Sequence, residues 1–212
     1  MTGETHSHGK GFEFGIKVMQ AINDKCAEWR EAEDIAYSPY GSPIESTTYK
    51  FAKCLKKRFG EVPDVTDHDY VTNSYHINVR EHIDPFDKLT IEAQYQKLSP
   101  GGAISYVECS DLTNNIDAVL EVLKHIYNTI LYAELNTKSD YCQVCGYEHE
   151  IEIVDGDGVL LWRCPNCGNT DQSKMNVARR TCGYIGTQYW NQGRTEEIRD
   201  RYVHLDNHEV GE

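Results

Sequence analysis

Two short cysteine motifs in the second half of the chain constrain its fold more than any other feature. Cys142 and Cys145 form the first motif, Cys164 and Cys167 form the second, and eighteen residues separate them. A glycine directly follows each motif. Two thiolates three positions apart can hold one metal ion when the backbone turns tightly, and two such turns complete a tetrahedral site. The spacing therefore predicts a zinc ribbon over residues 141–170.

Zinc is the expected metal, and its expected role is structural. A closed site of four cysteines leaves no position for water or substrate, so the ion would contribute to folding. A single iron ion is the alternative, because four thiolates also suit iron and the sequence around Cys145 and Cys164 resembles that of rubredoxin, an electron carrier. Two disulfides or four free thiols are disfavoured, since this spacing is typical of metal sites.

The composition narrows the class of protein. A chain of 212 residues can bury a core in one or two domains. Its net charge of −13 disfavours broad nucleic-acid binding, which requires a basic surface. The first residues lack the pattern of a secretory signal, and no apolar run is long enough for a membrane span. We therefore expect a cytoplasmic protein that uses its eight cysteines for metal or redox chemistry.

The first 140 residues alternate between helical and extended patterns. Periodicity and capping signals predict helices and strands in turn, which is typical of a parallel α/β sheet or barrel. The predicted helices are 12–34, 43–59, 85–98 and 116–131, and the predicted strands are 35–40, 73–79 and 103–108. A hairpin over 150–163 follows between the cysteine motifs. A last helix is predicted over 195–204, with its charges Glu196, Glu197, Arg199, Asp200 and Arg201 on a solvated face.

A glycine motif, Arg-Arg-Thr-Cys-Gly-Tyr, covers residues 179–184. In isolation its Gly183 is most simply a turn residue. Its position shortly after the four cysteines and near the chain end resembles the glycyl-radical loop of anaerobic ribonucleoside-triphosphate reductases. Three further blocks resemble that family in the same order, namely residues 40–46, 70–76 and 102–108. The likeness extends from about Gly11 to His204.

The resemblance implies a fold and a reaction. The chain would form the carboxy-terminal half of a ten-stranded α/β barrel (12–140), the zinc ribbon (141–170), and a glycyl-radical loop with a terminal helix (171–212), after a disordered tail (1–11). Gly183 would store the radical, because a glycine radical centre can flatten without a Cβ. Gly186 ranks second because it lacks the preceding Arg-x-Cys, and Cys182 is either a relay or a passive thiol.

The resemblance also implies partners. A radical-SAM activase with a 4Fe-4S cluster would install the radical, and the substrate would be a ribonucleoside triphosphate. The family's thiyl-radical cysteine lies upstream of the matched region, so an amino-terminal part or second subunit is expected, within a homo-oligomeric complete enzyme. Formate and a thioredoxin-type system remain alternative electron donors.

Six residues are candidates for substrate binding. Ser42 as a helix cap, with Pro43 and Glu45 behind it, would offer free N–H groups to a phosphate, although any capped helix offers the same groups. For Asn73, Ser74 and His76, an ordinary hydrogen-bonded polar end of a strand is an equally good interpretation. A proton-transfer role is also considered for Glu108. The candidates are Ser42, Ile44, Ser46, Asn73, Ser74 and His76.

Three readings of function follow. The leading one is radical reduction of ribonucleoside triphosphates to deoxyribonucleoside triphosphates without oxygen. The second is a zinc-ribbon binding or structural module, or an inactive reductase fragment. The third is a rubredoxin-like electron carrier, which would require iron at the cysteines.

Overall fold

The computed structural model describes residues 2–44, 47–181, 185–187 and 190–206. Helices dominate the first half and short strands the second. In chain order the elements are α1 (Gly9–Glu33), α2 (Thr47–Phe59), α3 (Pro85–Lys97), β1 (Ser105–Glu108), α4 (Ile116–Thr129), β2 (Ala133–Asn136), β3 (Tyr141–Cys142), β4 (Glu152–Gly156), β5 (Val159–Arg163), β6 (Met175–Asn176), β7 (Ala178–Arg180), β8 (Ile185–Thr187) and α5 (Gln192–Asp200).

Capping residues fix the starts of three helices. Asp84 precedes α3 and accepts hydrogen bonds from the N–H groups of Phe86 and Asp87, with proline in the first turn. Asn115 caps α4 and Asn191 caps α5 in the same manner. These side chains satisfy N–H groups that a helix leaves without an internal partner. The predicted starts of α3 and α4 are confirmed.

The main core forms around one parallel strand pair. β1 and β2 pair in parallel, with Ser105 opposite Ala133, and α4 connects them. β1 is buried along its whole length. Helices α3 and α4 cover it with Leu89, Val122 and other apolar side chains. This is the βαβ arrangement that the alternating pattern predicts.

The predicted strands 35–40 and 73–79 are wrong. Residues 73–79 contain no strand and have turns at 74–75 and 79–80, and Ser74 has a φ of 49°, which an extended strand does not allow. The N–H of Ile77 bonds to the Glu92 carboxylate instead of a neighbouring strand. Around 35–40, Pro39 lacks an N–H and bonds only through its carbonyl, which accepts from Gly101. The third strand is confirmed but begins at Ser105.

The described residues do not confirm half of a ten-stranded barrel. Each sheet among them has two strands, and only the β1–β2 sheet is parallel. The amino-terminal segment also differs from the predicted disordered tail. Ser7 is buried and donates to Glu81, and the Tyr95 hydroxyl donates to the carbonyl of His6.

A second core holds the cysteine region. The hairpin of β4 and β5 is confirmed, with Ile153 opposite Trp162. Its buried apolar side chains pack with the sulfurs and with Ile198 of α5, so the ribbon and the terminal helix share one cluster. Within the described part of the chain, no helix combines the length and apolar character that a membrane span needs.

Candidate metal centre and the stem of the glycine motif

The four cysteine sulfurs converge on one point. All four lie within 4.8 Å of one another. The sulfurs of Cys142 and Cys167 are 3.7 Å apart, and those of Cys145 and Cys164 are 3.6 Å apart. A disulfide would require about 2.05 Å, whereas zinc–sulfur bonds of about 2.3 Å in a tetrahedron separate the sulfurs by about 3.8 Å. The cysteines therefore fit a tetrahedral metal site, as the spacing predicts.

Two equivalent backbone turns present the sulfurs. The N–H of Gly146 donates to the carbonyl of Cys142 at 2.9 Å, and the N–H of Gly168 donates to the carbonyl of Cys164 at 2.9 Å. The two glycines have φ values of 72° and 73°. A residue with a Cβ is strained in this left-handed region, which explains a glycine directly after each motif.

The sulfurs favour a bound cation. A side-chain hydrogen bond from Asn166 lowers the pKa of Cys145 to about 6. The backbone N–H of Asn169 favours the thiolate of Cys167, but desolvation and the three neighbouring sulfurs together raise the pKa of Cys167 to about 12. The four sulfurs therefore differ in how readily they carry a negative charge. A divalent cation at the centre of the four sulfurs would stabilise all four as thiolates together.

A buried ion pair joins the ribbon to the glycine motif. Arg179 forms a bidentate pair with Asp140, and the Nη2–Oδ2 distance is 2.6 Å. Both side chains are almost wholly buried. Asp140 also accepts from the N–H of Ile151 at 2.8 Å, and the guanidinium lies 5.1 Å from the Trp162 ring centre. The first arginine of the motif is therefore a structural anchor to the ribbon.

Strands β7 and β8 flank the glycine itself. They pair antiparallel, with Arg180 opposite Ile185, and Arg180 also binds Glu134 of β2 at 2.6 Å. Cys182 and Gly183 lie outside the described residues. Gly186 lies on β8, where an added Cβ would be 3.1 Å from the Trp190 ring. The stem on either side of the motif is thus tied to both cores.

The predicted solvated face of the last helix is wrong for two of its charges. Glu197 and Arg201 are buried and bind each other at 3.0 Å, and Arg194 binds Glu197 at 2.8 Å. Burial opposes the charge of Glu197, but the two arginines outweigh it and lower its pKa. Glu108 binds Arg201 at 2.8 Å and also accepts from Asn136, so it is an ion-pair partner in this core.

The predicted substrate residues separate into two groups. The N–H of Ile44 donates to Asn73 at 2.8 Å, and Ser74 lies close to Gly41, so the segments around 42–44 and 73–74 meet. The predicted helix start at Pro43 is wrong, because residues 41–44 are not helical and α2 is described from Thr47. The helix N-terminus therefore does not lie at Ser42. Ser46 lies outside the described residues.

His76 faces a different environment from the rest of that set. Its Nδ1 lies 3.5 Å from Glu92, which also binds Lys88 at 2.7 Å, and all three side chains are buried. Burial opposes the charge of Glu92, but Lys88 and His76 outweigh it and lower its pKa. Sequence reasoning missed this cluster and the Asp140 and Arg201 pairs. The four-residue spacing of Lys88 and Glu92, and of Glu197 and Arg201, was the only local signal for them.

Comparison with known proteins places the chain beside one enzyme family. A family model described as "Anaerobic ribonucleoside-triphosphate reductase" matches residues 1–204. The reductase of that name from Escherichia coli K12 is 35% identical over 200 residues, and that of bacteriophage T4 is 37% identical over 197 residues. These alignments cover 93% and 92% of this chain but only 28% and 32% of the relatives.

A solved structure shows a similar fold. The anaerobic ribonucleotide reductase of Thermotoga maritima, crystallised with MES in the active site, superposes with a TM-score of 0.62 at 19% identity. The superposition covers 84% of this chain and 27% of that one. The chain thus corresponds to a portion of the proteins that it matches.

Proposed function

Because the chain belongs to the anaerobic ribonucleoside-triphosphate reductase family, we propose that it supplies the radical-bearing carboxy-terminal part of such an enzyme. The reaction would be the oxygen-independent reduction of ribonucleoside triphosphates to deoxyribonucleoside triphosphates. Since the chain spans about 28% of its E. coli relative, an amino-terminal part or second subunit would supply the remaining machinery.

The main observation that supports the proposal is the link between the metal site and the glycine motif. The family match runs through residue 204 and so includes both features. Asp140 lies two residues before the first zinc-ligand cysteine, and its pair with Arg179 joins the ribbon to the strand that precedes Gly183. A folded ribbon would therefore hold the glycine motif against the α/β core.

Gly183 is the proposed radical site. Loss of one Cα hydrogen leaves an unpaired electron that the flanking amide groups delocalise, and only glycine lets that centre flatten without a Cβ clash. A radical-SAM activase with a 4Fe-4S cluster would remove the hydrogen. The radical would then oxidise a cysteine in the amino-terminal part, which takes a hydrogen from the ribose. The four ribbon cysteines would hold structural zinc and take no part in the transfer.

The substrate site is proposed at the meeting of two segments. Ser42, Ile44, Asn73 and Ser74 lie there, and the Ile44–Asn73 hydrogen bond supports a common site. Ser46 belongs to the same proposed set. His76 is also proposed for this set, although its contact with Glu92 gives it a structural role in the folded chain.

An exposed apolar face supports association with the missing part. On α4, Val119 and Ile126 pack on the core, whereas Leu120, Leu123 and Tyr127 are exposed. Apolar surface of this kind is typical of an interface. The complete enzyme would be a cytoplasmic homo-oligomer without direct contact to nucleic acid. No specific observation favours the binding-module or fragment reading.

Electron paramagnetic resonance tests the proposal. The chain, with its amino-terminal partner and activase, should give a glycine-centred doublet under anoxic conditions. Gly183→Ala should abolish the doublet, and Gly186→Ala should retain it. Absence of the doublet in the active mixture, or its persistence in Gly183→Ala, would contradict the proposal. Metal analysis should find one zinc per chain in a colourless protein, whereas red protein containing iron would instead support an electron carrier.

A further inference from the structure

Arg201 makes contact with the backbone directly before the glycine motif's Cys182 and Gly183. Its Nη1 donates to the carbonyl of Arg180 at 2.8 Å, and its Nη2 donates to the carbonyl of Thr181 at 3.3 Å. These are the last two described residues of the stem on that side. A side chain after the last helix thus holds the main chain twenty positions earlier.

Carboxylates on two other elements hold the guanidinium itself. Its Nε and Nη2 donate to the two oxygens of Glu197 at 3.0 and 3.1 Å, and its Nη1 donates to Glu108 at 2.8 Å. The Tyr106 ring centre lies 5.4 Å away, and the side chain is 2% exposed. Arg201 is therefore fixed in place before it reaches the stem carbonyls.

The number of bonds matches the number of donors. A guanidinium has five N–H groups in a planar fork, and here three point to carboxylate oxygens and two to stem carbonyls. A lysine has three donors on one nitrogen atom, so it cannot reach both carboxylates and both carbonyls. The site is specific for arginine and not merely for a positive charge.

We infer that Arg201 is a positioning residue for Gly183, because it fixes the main chain at Arg180 and Thr181. The inference rests on the proposed function, in which the Cα–H of Gly183 must be presented to the activase. Loss of the two carbonyl bonds frees the end of β7 while leaving β7 paired with β8. The radical yield then falls although the fold persists.

Limited trypsin digestion tests the clamp without any radical chemistry. Trypsin cleaves after arginine, and the Arg180–Thr181 bond lies between the two clamped carbonyls. Loss of even one charged hydrogen bond makes local opening on the order of tenfold more frequent, so Arg201→Lys should be cut there at least about tenfold faster than the natural chain. Val122→Ala is the matched control, because it destabilises the main core through a small cavity but leaves Arg201, its two carboxylates and both carbonyl bonds unchanged. Arg199→Gln controls for loss of an exposed arginine.

The outcomes are distinct. Fast cleavage after Arg180 in Arg201→Lys alone supports the clamp. Unchanged cleavage in Arg201→Lys overturns it, and so does equal acceleration in Arg201→Lys and Val122→Ala at equal loss of melting temperature, since that result indicates general destabilisation.

A spectroscopic readout tests the consequence for Gly183. After activation, the doublet of Arg201→Lys should fall at least about fivefold relative to the natural chain, whereas the doublet of Val122→Ala should stay within about twofold. A full doublet in Arg201→Lys overturns the inference. If the natural chain gives no doublet, the proposed function fails, and the trypsin experiment still decides whether Arg201 clamps the stem.

Discussion

Replacing Asp140 by alanine should destabilise the ribbon more than any surface substitution in this chain. The change leaves the Arg179 guanidinium buried without its carboxylate and also removes the acceptor of the Ile151 N–H. Breaking one side of a buried ion pair costs about 3–5 kcal/mol. For a protein of this size each kcal/mol lowers the melting temperature by about 2–4 °C, so Asp140→Ala should lower it by about 6–20 °C.

Circular dichroism melting of the zinc-loaded protein measures the effect. Glu28→Ala is a matched control, because it breaks the exposed Lys25–Glu28 pair and should change the free energy of unfolding by less than about 0.5 kcal/mol. The double variant Asp140→Leu with Arg179→Met should recover much of the loss, since apolar replacements remove the unpaired charge. A loss below about 1 kcal/mol in Asp140→Ala, or no recovery in the double variant, would show that the buried ion pair does not stabilise the ribbon.

Three further predictions concern turns, protonation and capping. Gly146→Ala and Gly168→Ala should each lower the free energy of unfolding by about 1 kcal/mol, because both glycines have the same left-handed φ. Thermal melting and zinc titration measure the two losses, and clearly unequal losses would show that the turns are not equivalent. Burial lowers the pKa of His204 from 6.5 to about 3, and its Nδ1 accepts from the N–H of Glu108. Below pH 6.5 the unfolded chain therefore binds a proton at His204 that the folded chain does not bind. The free energy of unfolding should then fall by up to about 1.4 kcal/mol per pH unit as the pH is lowered. His204→Gln should flatten that slope between pH 6.5 and 5 in urea unfolding, and an unchanged slope would contradict the assignment. Asp84→Ala should cost about 1 kcal/mol through loss of the α3 cap, whereas Asp84→Asn should cost less, and equal losses in the two variants would count against capping.

Local signals in the sequence were sufficient for part of the fold. The cap at Asp84, the hairpin between the cysteine motifs and the convergence of four sulfurs all depend on residues close together in the chain. Each is set by backbone geometry over a few positions, which residue type and spacing reveal directly. The metal centre could therefore be predicted without a structure.

The same local signals could not predict which residues pair when they lie far apart in the sequence. The stretch 73–79 alternates like a strand, but Ser74 is in the left-handed region and the N–H of Ile77 bonds to Glu92. The sequence pattern predicts solvent-exposed charges on the last helix because Glu108, a partner of Arg201, lies 93 positions away in the sequence. Periodicity describes a segment and its environment on average, and it does not identify which distant side chain satisfies a buried charge.

The decisive measurement is the anoxic electron paramagnetic resonance spectrum of the chain after treatment with its activase, recorded for the natural sequence and for Gly183→Ala. If Gly183 holds the radical, the natural chain gives a glycine-centred doublet that disappears in the variant. A doublet that survives in Gly183→Ala, or a zinc-loaded chain that gives no doublet beside its amino-terminal partner, would contradict that role of Gly183.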